Sequence, residues 1–450
     1  MRIKNIFRGT LIIAILLIVF VSVLYVSHST ISPGPFLVIA LILIALGFRG
    51  FTSLKAFSYT VWILAAVTIA MFYPSSFISI GSFQLKNVII PFVQLTMFGM
   101  GANMSFDDFK GVVKMPKGVL IGVTCHYTVM PLVAFALSRL FNFSPEIAGG
   151  VILIGCVPSA MASNVMSFLA KANLALAVTI GACSTILSPF VTPFLMKFLG
   201  GQYVEINVAN MMLDITNMII IPIVAGFIFN LFYFGDKSRK EKGIQLISFF
   251  SLILIIHLLM MISTKGTITD FLYSFLKSIF LFFLLPMVTA ILLRRSPNVT
   301  HSKIEKWLSF VAMLGIVINT IVITASGRDN LLQVGGLLII SCFFHNLIGF
   351  NLGYFTAKLF GLPEKDRRTI AFEVGMQNGG IATGLALKMG KVATVGLASA
   401  IFGPLQNLTG STLANWFCKR PIDNKKDSNS KNEISDQRIN SLVVKMRTID

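Results

Sequence analysis

The chain has 450 residues, of which 55% are apolar and only 12% charged, with a formal net charge of +19. Soluble domains average roughly 25% charged residues. The composition therefore excludes a soluble enzyme and a soluble nucleic-acid binder, and it describes a polytopic membrane protein with mean hydropathy +0.82.

The first apolar run, LIIAILLIVFVSVLYV, follows MRIKNIFR. No small-residue cleavage site ends it, so it is expected to be a retained span rather than a leader. Apolar windows long enough to cross a bilayer then recur, and the expected organisation is about fourteen spans. They are placed at 10–28, 34–49, 56–73, 87–104, 116–140, 147–170, 173–199, 207–234, 244–264, 271–293, 304–326, 331–359, 369–388 and 393–417.

The loops between them sort by charge. Arg2, Lys4, Arg8, Arg49, Lys55, Lys110, Lys114, Lys117, the loops GDKSRKEKG, RRSPNVTHSKIEK and LPEKDRR, and the tail all fall on one side. The other side has only Lys86, Arg139, Lys197, Lys265, Arg328, Lys388 and Lys391. The positive-inside rule then puts both termini in the cytoplasm, in a plasma (bacterial inner) membrane. The basic balance marks topology and calls for no nucleic-acid partner. The tail 419–450 is polar and expected to be disordered. Cys125, Cys156, Cys183, Cys342 and Cys418 have no metal-ligand spacing and read as small core hydrophobes.

Two spans are interrupted. In ILIGCVPSAMASNVMSFLAKAN (152–173), Pro158 removes a helix hydrogen bond, and Ser159, Ser163 and Asn164 follow it. In TIAFEVGMQNGGIATGLALK (369–388), Gly375, Gly379 and Gly380 surround Gln377 and Asn378. Irregular backbone at membrane depth survives only inside protein or along a watery cavity. A matched pair of such helices points to a midplane binding site in a transporter. One further span follows each break, which suggests two related halves.

Glu373 sits beside the second break. A charged carboxylate at the bilayer centre costs about 2.5 to 3.5 kcal/mol on the most lenient scale. Neither interrupted helix has a Lys or Arg in its middle. Glu373 is therefore protonated or paired with something exchangeable. Sodium, a hard cation, would find a carboxylate, amide oxygens, freed carbonyls and the Ser163 hydroxyl. The alternative is a proton carrier.

These stretches resemble the bile acid:sodium symporter family. EVGMQN (373–378) and ASNVMSFLAKANLAL (162–176) are similar to its two crossing-helix motifs. TILSPFVTPFL (185–195), MFGMGANMSFDDF (97–109), FHNLIGF (344–350) and QNLTGS (406–411) resemble further stretches of it. The resemblance implies an all-α polytopic fold: a ten-helix core of two inverted five-helix repeats, divided into panel and core domains, with the two broken helices crossing. It covers 56–234 and 304–418; 1–55 and 235–303 would then be added transmembrane hairpins.

By the same resemblance, the chain is a secondary transporter that moves a small organic anion with sodium. One sodium site would use Ser163, Asn164 and Glu373; the other would use Glu373, Gln377 and the backbone of Val374 and Met376. His126 stands where the family commonly has a glutamine ligand. Substrate would sit near Asn378, with Ser159, Met161 and Gln406 around it. Ala177 and Gly181 replace two hydroxyl ligands, and Ser159-Ala160 replaces the usual glycine pair. Weaker sodium dependence is expected, with at most one intact site. Proton coupling through Glu373 and His126 is the alternative, and a non-transporting sensor or channel is a further one.

Among other polar residues, Asp214 reads as an interfacial anchor and His345-Asn346 as a hydrogen-bonded pair. No serine–base dyad, paired aspartates or metal cluster supports an intramembrane enzyme. The identity of the anion and the oligomeric state are not legible in the sequence.

Overall fold

The structure, a computed structural model, describes residues 2–28, 30–51, 54–104, 111–235, 239–264, 267–296 and 300–420. The expected disordered tail lies outside the described residues from 421 onward, as does part of MSFDDF.

Eighteen α-helices make up the described chain: α1 (Arg2–Val26), α2 (Gly34–Phe48), α3 (Lys55–Phe72), α4 (Ile89–Asn103), α5 (Pro116–Leu140), α6 (Pro145–Cys156), α7 (Ala162–Leu169), α8 (Leu174–Leu195), α9 (Val208–Ile215), α10 (Ile221–Tyr233), α11 (Arg239–Thr264), α12 (Ile268–Ile279), α13 (Leu285–Arg295), α14 (His301–Ser326), α15 (Arg328–Leu359), α16 (Glu364–Gly375), α17 (Gly379–Lys388) and α18 (Leu397–Cys418). In lipid, a helix satisfies its own backbone, which is why Leu-, Ile- and Phe-rich runs take no other form. A two-stranded ribbon, Ser79–Ile80 with Phe83–Gln84, caps the loop before α4.

Among the described residues, nine helices are long and apolar enough to cross a membrane, counting runs that continue through irregular turns. That count is coarser than the fourteen expected spans. The two breaks leave half-helices too short to count, α2 is short, and α18 is diluted by Gln406, Asn407, Thr409 and Ser411. Several helices also overrun their apolar windows: α15 begins at Arg328 rather than 331, and α14 at His301 rather than 304. A helix does not stop where the hydrocarbon does.

Two long helices widen locally into π turns, Thr216–Ile220 before Pro222 and Phe280–Leu284 before Pro286. A proline ring clashes with the carbonyl four residues back, and the wider turn relieves it.

The helices pack in two groups. In the first, α4 lies against α10 and α14, and α14 against α3. Gly101 and Gly226 lock the α4–α10 contact: an added Cβ at either would lie 2.2 Å from a carbonyl oxygen of the opposite helix. The α1–α2 hairpin attaches through α2 to α3, and the α11–α13 hairpin through α13 to α10. His257 pins α11 to α12, with Nε2 3.0 Å from Ser278 Oγ. In the second group, α5 packs on α6, α8, α15 and α16, and α15 packs on α16 and α18. Both breaks lie in this second group.

Candidate functional site

Pro158 forces the first break. The residue before a proline is pushed to extended backbone, and Val157 adopts φ −79°, ψ 160°, ending α6. The second break follows Gly375: Met376 is extended at φ −108°, ψ 127°. Asn378 then starts α17, its Oδ1 accepting from the Ile381 amide at 3.3 Å.

The two unwound stretches run antiparallel and pair. The Asn378 amide donates to the Pro158 carbonyl at 2.9 Å, and the Ala160 amide to the Met376 carbonyl at 3.2 Å. Ser159 faces Gln377 across this bridge. Backbone groups freed in one helix are thus satisfied by the other, which membrane depth demands. The structure therefore brings the two interrupted helices together at their breaks.

Glu373, in the last turn of α16, is fully buried (0% exposed). Its Oε2 accepts from Ser159 Oγ at 2.7 Å and its Oε1 from Ser163 Oγ at 2.5 Å. The carboxylate of one broken helix is thereby tied to two hydroxyls of the other. The carboxyl ends of α6 and α16 converge here, adding the negative ends of two helix dipoles. The amino ends of α7 and α17 start at the same crossing, and Ser163 in the first turn of α7 reaches the carboxylate. The Glu373 carboxylate is thus flanked by helix ends of both signs.

Two buried side-chain oxygens beside the break have no hydrogen-bond partner: Asn164 Oδ1 and Gln377 Oε1. An unsatisfied buried polar group costs about 1–3 kcal/mol. Both belong to amides expected to bind sodium. Together with the carboxylate and the Ser163 oxygen they form the hard-oxygen donor set a small cation requires. The residues present fit sodium. Gln377 Nε2 meanwhile donates to the Val374 carbonyl at 2.9 Å, so Gln377 turns its oxygen away from its own helix.

Other expected site residues are engaged differently. His126 is buried with Nδ1 2.9 Å from the Glu373 carbonyl and Nε2 3.0 Å from the Val157 carbonyl. Its ring bridges the ends of α16 and α6 and holds them together as a clamp. Gln406 is likewise occupied: its Oε1 accepts from the Gln377 amide at 2.7 Å, and its Nε2 donates to the Gln377 carbonyl at 2.9 Å. This two-point clamp leaves little for a substrate. Ser159, expected near substrate, instead holds Glu373. Met161 is half-buried before the first residue of α7. The Met376 carbonyl already takes the Ala160 amide.

An added Cβ at Gly181 would lie 3.6 Å from Glu373 Oε2, so this missing hydroxyl is missing directly beside the carboxylate. Ala177 is also buried.

His345 and Asn346 do not bond to each other as expected. His345 Nε2 faces the Met130 carbonyl at 3.0 Å; Asn346 donates to the Gly375 carbonyl at 2.8 Å and accepts from Thr409. Successive helix residues point in different directions, which rules out the pair. Asp214 pairs with Lys388 at 3.2 Å instead of anchoring at the interface alone.

Sequence reasoning placed Arg368 in a solvated loop. It is 2% exposed, and it donates to Glu364 Oε1 at 2.9 Å and to the Phe417 carbonyl at 2.9 Å, tying α16 to the end of α18. The Glu364–Arg368 spacing of four residues was the available signal.

Known proteins match this chain. The model of the Sodium Bile acid symporter family matches residues 90–270. The uncharacterized sodium-dependent transporter YocS of Bacillus subtilis is 32% identical over 375 residues, covering 83% of this chain and 95% of the relative. The probable sodium/metabolite cotransporter BASS1 of Arabidopsis thaliana is 26% identical, over 79% of this chain and 72% of its own. The human ileal sodium/bile acid cotransporter is 27% identical, over 68% and 70%.

Proposed function

This chain belongs to the sodium bile acid symporter family, and we propose that it carries a small organic anion across the plasma membrane together with sodium. It is a sodium-coupled secondary transporter, not an enzyme. In this reading, fourteen crossings comprise a ten-helix core of two inverted repeats and two added hairpins, 1–55 and 235–303, with both termini cytoplasmic. The group containing α4, α10 and α14 is the panel, and the group containing both breaks is the core.

The observation that carries the site assignment is the pair of orphaned oxygens, Asn164 Oδ1 and Gln377 Oε1, one on each of the two broken helices that meet at the buried Glu373 carboxylate. Sodium binds Glu373, Asn164, Ser163 and the Gln377 oxygen, with the Val374 and Met376 carbonyls lining the same turn. The organic anion sits at the crossing near Asn378 and Met161, at the amino ends of α7 and α17. Sodium then favours anion binding by settling the crossing backbone that both ligands share. The panel and the core shift against each other to expose the crossing to one side and then the other.

The test is uptake by purified protein in liposomes, screened with small carboxylates under an imposed sodium gradient. Sodium-dependent accumulation that vanishes in Glu373→Gln supports the assignment. Undiminished accumulation in a folded Glu373→Gln protein removes it.

Proton coupling through Glu373 and His126 is the second reading. One observation favours it: the His126 ring lies 2.9 Å from the Glu373 carbonyl, so the two titratable residues share one turn of the site. Uptake driven by a proton gradient in sodium-free buffer distinguishes it.

A further inference from the structure

Away from the crossing, α15 and the last half of α18 enclose a cleft of about 690 Å³. None of its lining residues comes from the panel helices, so it is separate from the transport path proposed above. Phe343, Phe355, Leu408, Thr412, Trp416 and Arg420 line it. Phe355 and Trp416 are 55% and 46% exposed, and two polar wall groups bond within their own helices: Thr412 Oγ1 donates to the Leu408 carbonyl and Asn351 Nδ2 to the Leu347 carbonyl, each at 2.8 Å. The walls therefore ask for an apolar occupant. One end is different. Arg420 sits with its guanidinium 3.7 Å over the Trp416 ring, and exposed Lys419 lies beside it.

We propose that this cleft is a binding site for an anionic phospholipid, with the phosphate at Arg420 and an acyl chain laid along the groove toward Leu408. Charge complementarity selects the headgroup, since a cation held over an aromatic ring at the end of an apolar groove matches a phosphate at the end of an acyl chain. Length agrees. From Leu408 to Arg420 the chain advances twelve positions, roughly 18 Å at helical rise, close to one leaflet's apolar depth of about 15 Å. The groove also has a route to the transport site. Phe417, in its wall, lies 6.0 Å centroid to centroid from Phe372, the residue before Glu373. Lipid occupancy would therefore bear on the turn that holds the carboxylate.

The experiment is native mass spectrometry of the full chain in neutral detergent, titrated with phosphatidylglycerol or phosphatidylcholine. The expected result is preferential retention of phosphatidylglycerol, about fivefold for each cation that reaches the headgroup. Arg420→Gln brings the two lipids toward parity, and Thr412→Trp, which fills the groove, lowers retention of both. In the unaltered protein, a photoactivatable phosphatidylglycerol labels peptides of α15 and α18, so the proposal does not depend on any variant folding. Four outcomes overturn it: equal lipid preference with and without Arg420, labelling elsewhere, competition by soluble glycerol phosphate as strong as by the lipid, or a change of oligomeric state as the sole effect of Thr412→Trp. The last would show that a second copy of the chain fills the groove.

Discussion

Ser159 and Glu373 lie 214 positions apart, yet Ser159 Oγ sits 2.7 Å from Glu373 Oε2 where two broken helices cross. The same carboxylate oxygen faces Gly181, whose added Cβ would stand 3.6 Å away. One position beside Oε2 has lost a hydroxyl relative to the family resemblance, and another has gained one. The donor set around Glu373 has been rearranged, which softens the expectation of weak sodium dependence drawn from Ala177 and Gly181 alone. A hard cation counts oxygens in reach, whichever helix supplies them.

Glu373→Gln is expected to leave the fold in place and remove most sodium binding. The amide oxygen can still accept one serine hydroxyl, but the charge is gone. Interactions with a charged group are worth about 1.5–3 kcal/mol, so sodium affinity should fall by roughly 10- to 150-fold. The sodium-dependent rise in melting temperature is the measurement. A full rise in the mutant would show that the carboxylate is no ligand.

Gln406→Ala tests the clamp. It strands the Gln377 amide and carbonyl in a buried site, at about 1–3 kcal/mol for each group left unpaired. Melting should drop by several degrees, and the position of the Gln377 oxygen should loosen, weakening sodium binding as well. Gln406→Leu keeps the volume but loses both halves of the clamp, so it should lose nearly as much stability as the alanine variant. A leucine variant as stable as the unaltered protein would argue that Gln406 acts only by filling space.

These two residues also mark what a sequence reader can and cannot see. Both breaks are legible because Pro158 and the glycines around Gln377 punctuate an otherwise uniform apolar run. Glu373 is legible because a carboxylate in oil requires a reason. Gln406 is not: its partner is 29 positions away, and no local pattern links a mid-helix glutamine to a distant backbone. His126 is half legible. Its polarity marks it as significant, but only the structure shows two carbonyl ends converging on its ring. Arg368 was misplaced because charge near a helix start reads as solvated, whereas four carbonyl and carboxylate oxygens bury it. The two-group packing follows from contacts between helices far apart in sequence, and hydropathy records none of them.

Asp214 and Lys388 connect α9, which runs on through a π turn into α10 of the first group, to α17 beyond the second break, at 3.2 Å with both side chains partly exposed. Such pairs contribute about 0–1 kcal/mol. Asp214→Asn should therefore shift the balance between transport conformations by no more than about fivefold, with little change in melting. The charge-swapped pair Asp214→Lys with Lys388→Asp should restore the initial rate. Failure of the swap, with each single variant slow, would mean that the residues act separately.

Ser159→Ala and Gly181→Ser form the last test, aimed at the rearranged donor set. Removing the Ser159 hydroxyl takes one neutral oxygen from Oε2 and should raise the half-saturating sodium concentration about 3- to 10-fold, the equivalent of one ordinary hydrogen bond of ~1 kcal/mol. Adding a hydroxyl at 181 alone should tighten sodium binding by a similar factor, because 3.6 Å is ordinary contact and the new Cβ fits without displacing a neighbour. The double variant should return close to the starting value, because the oxygen then approaches the same carboxylate from α8 instead of from the break. Sodium titration of melting or of uptake reads all three proteins. If the double variant is as weak as Ser159→Ala, the hydroxyl at 159 serves the crossing backbone rather than the cation. The two positions would then not be interchangeable routes to one site.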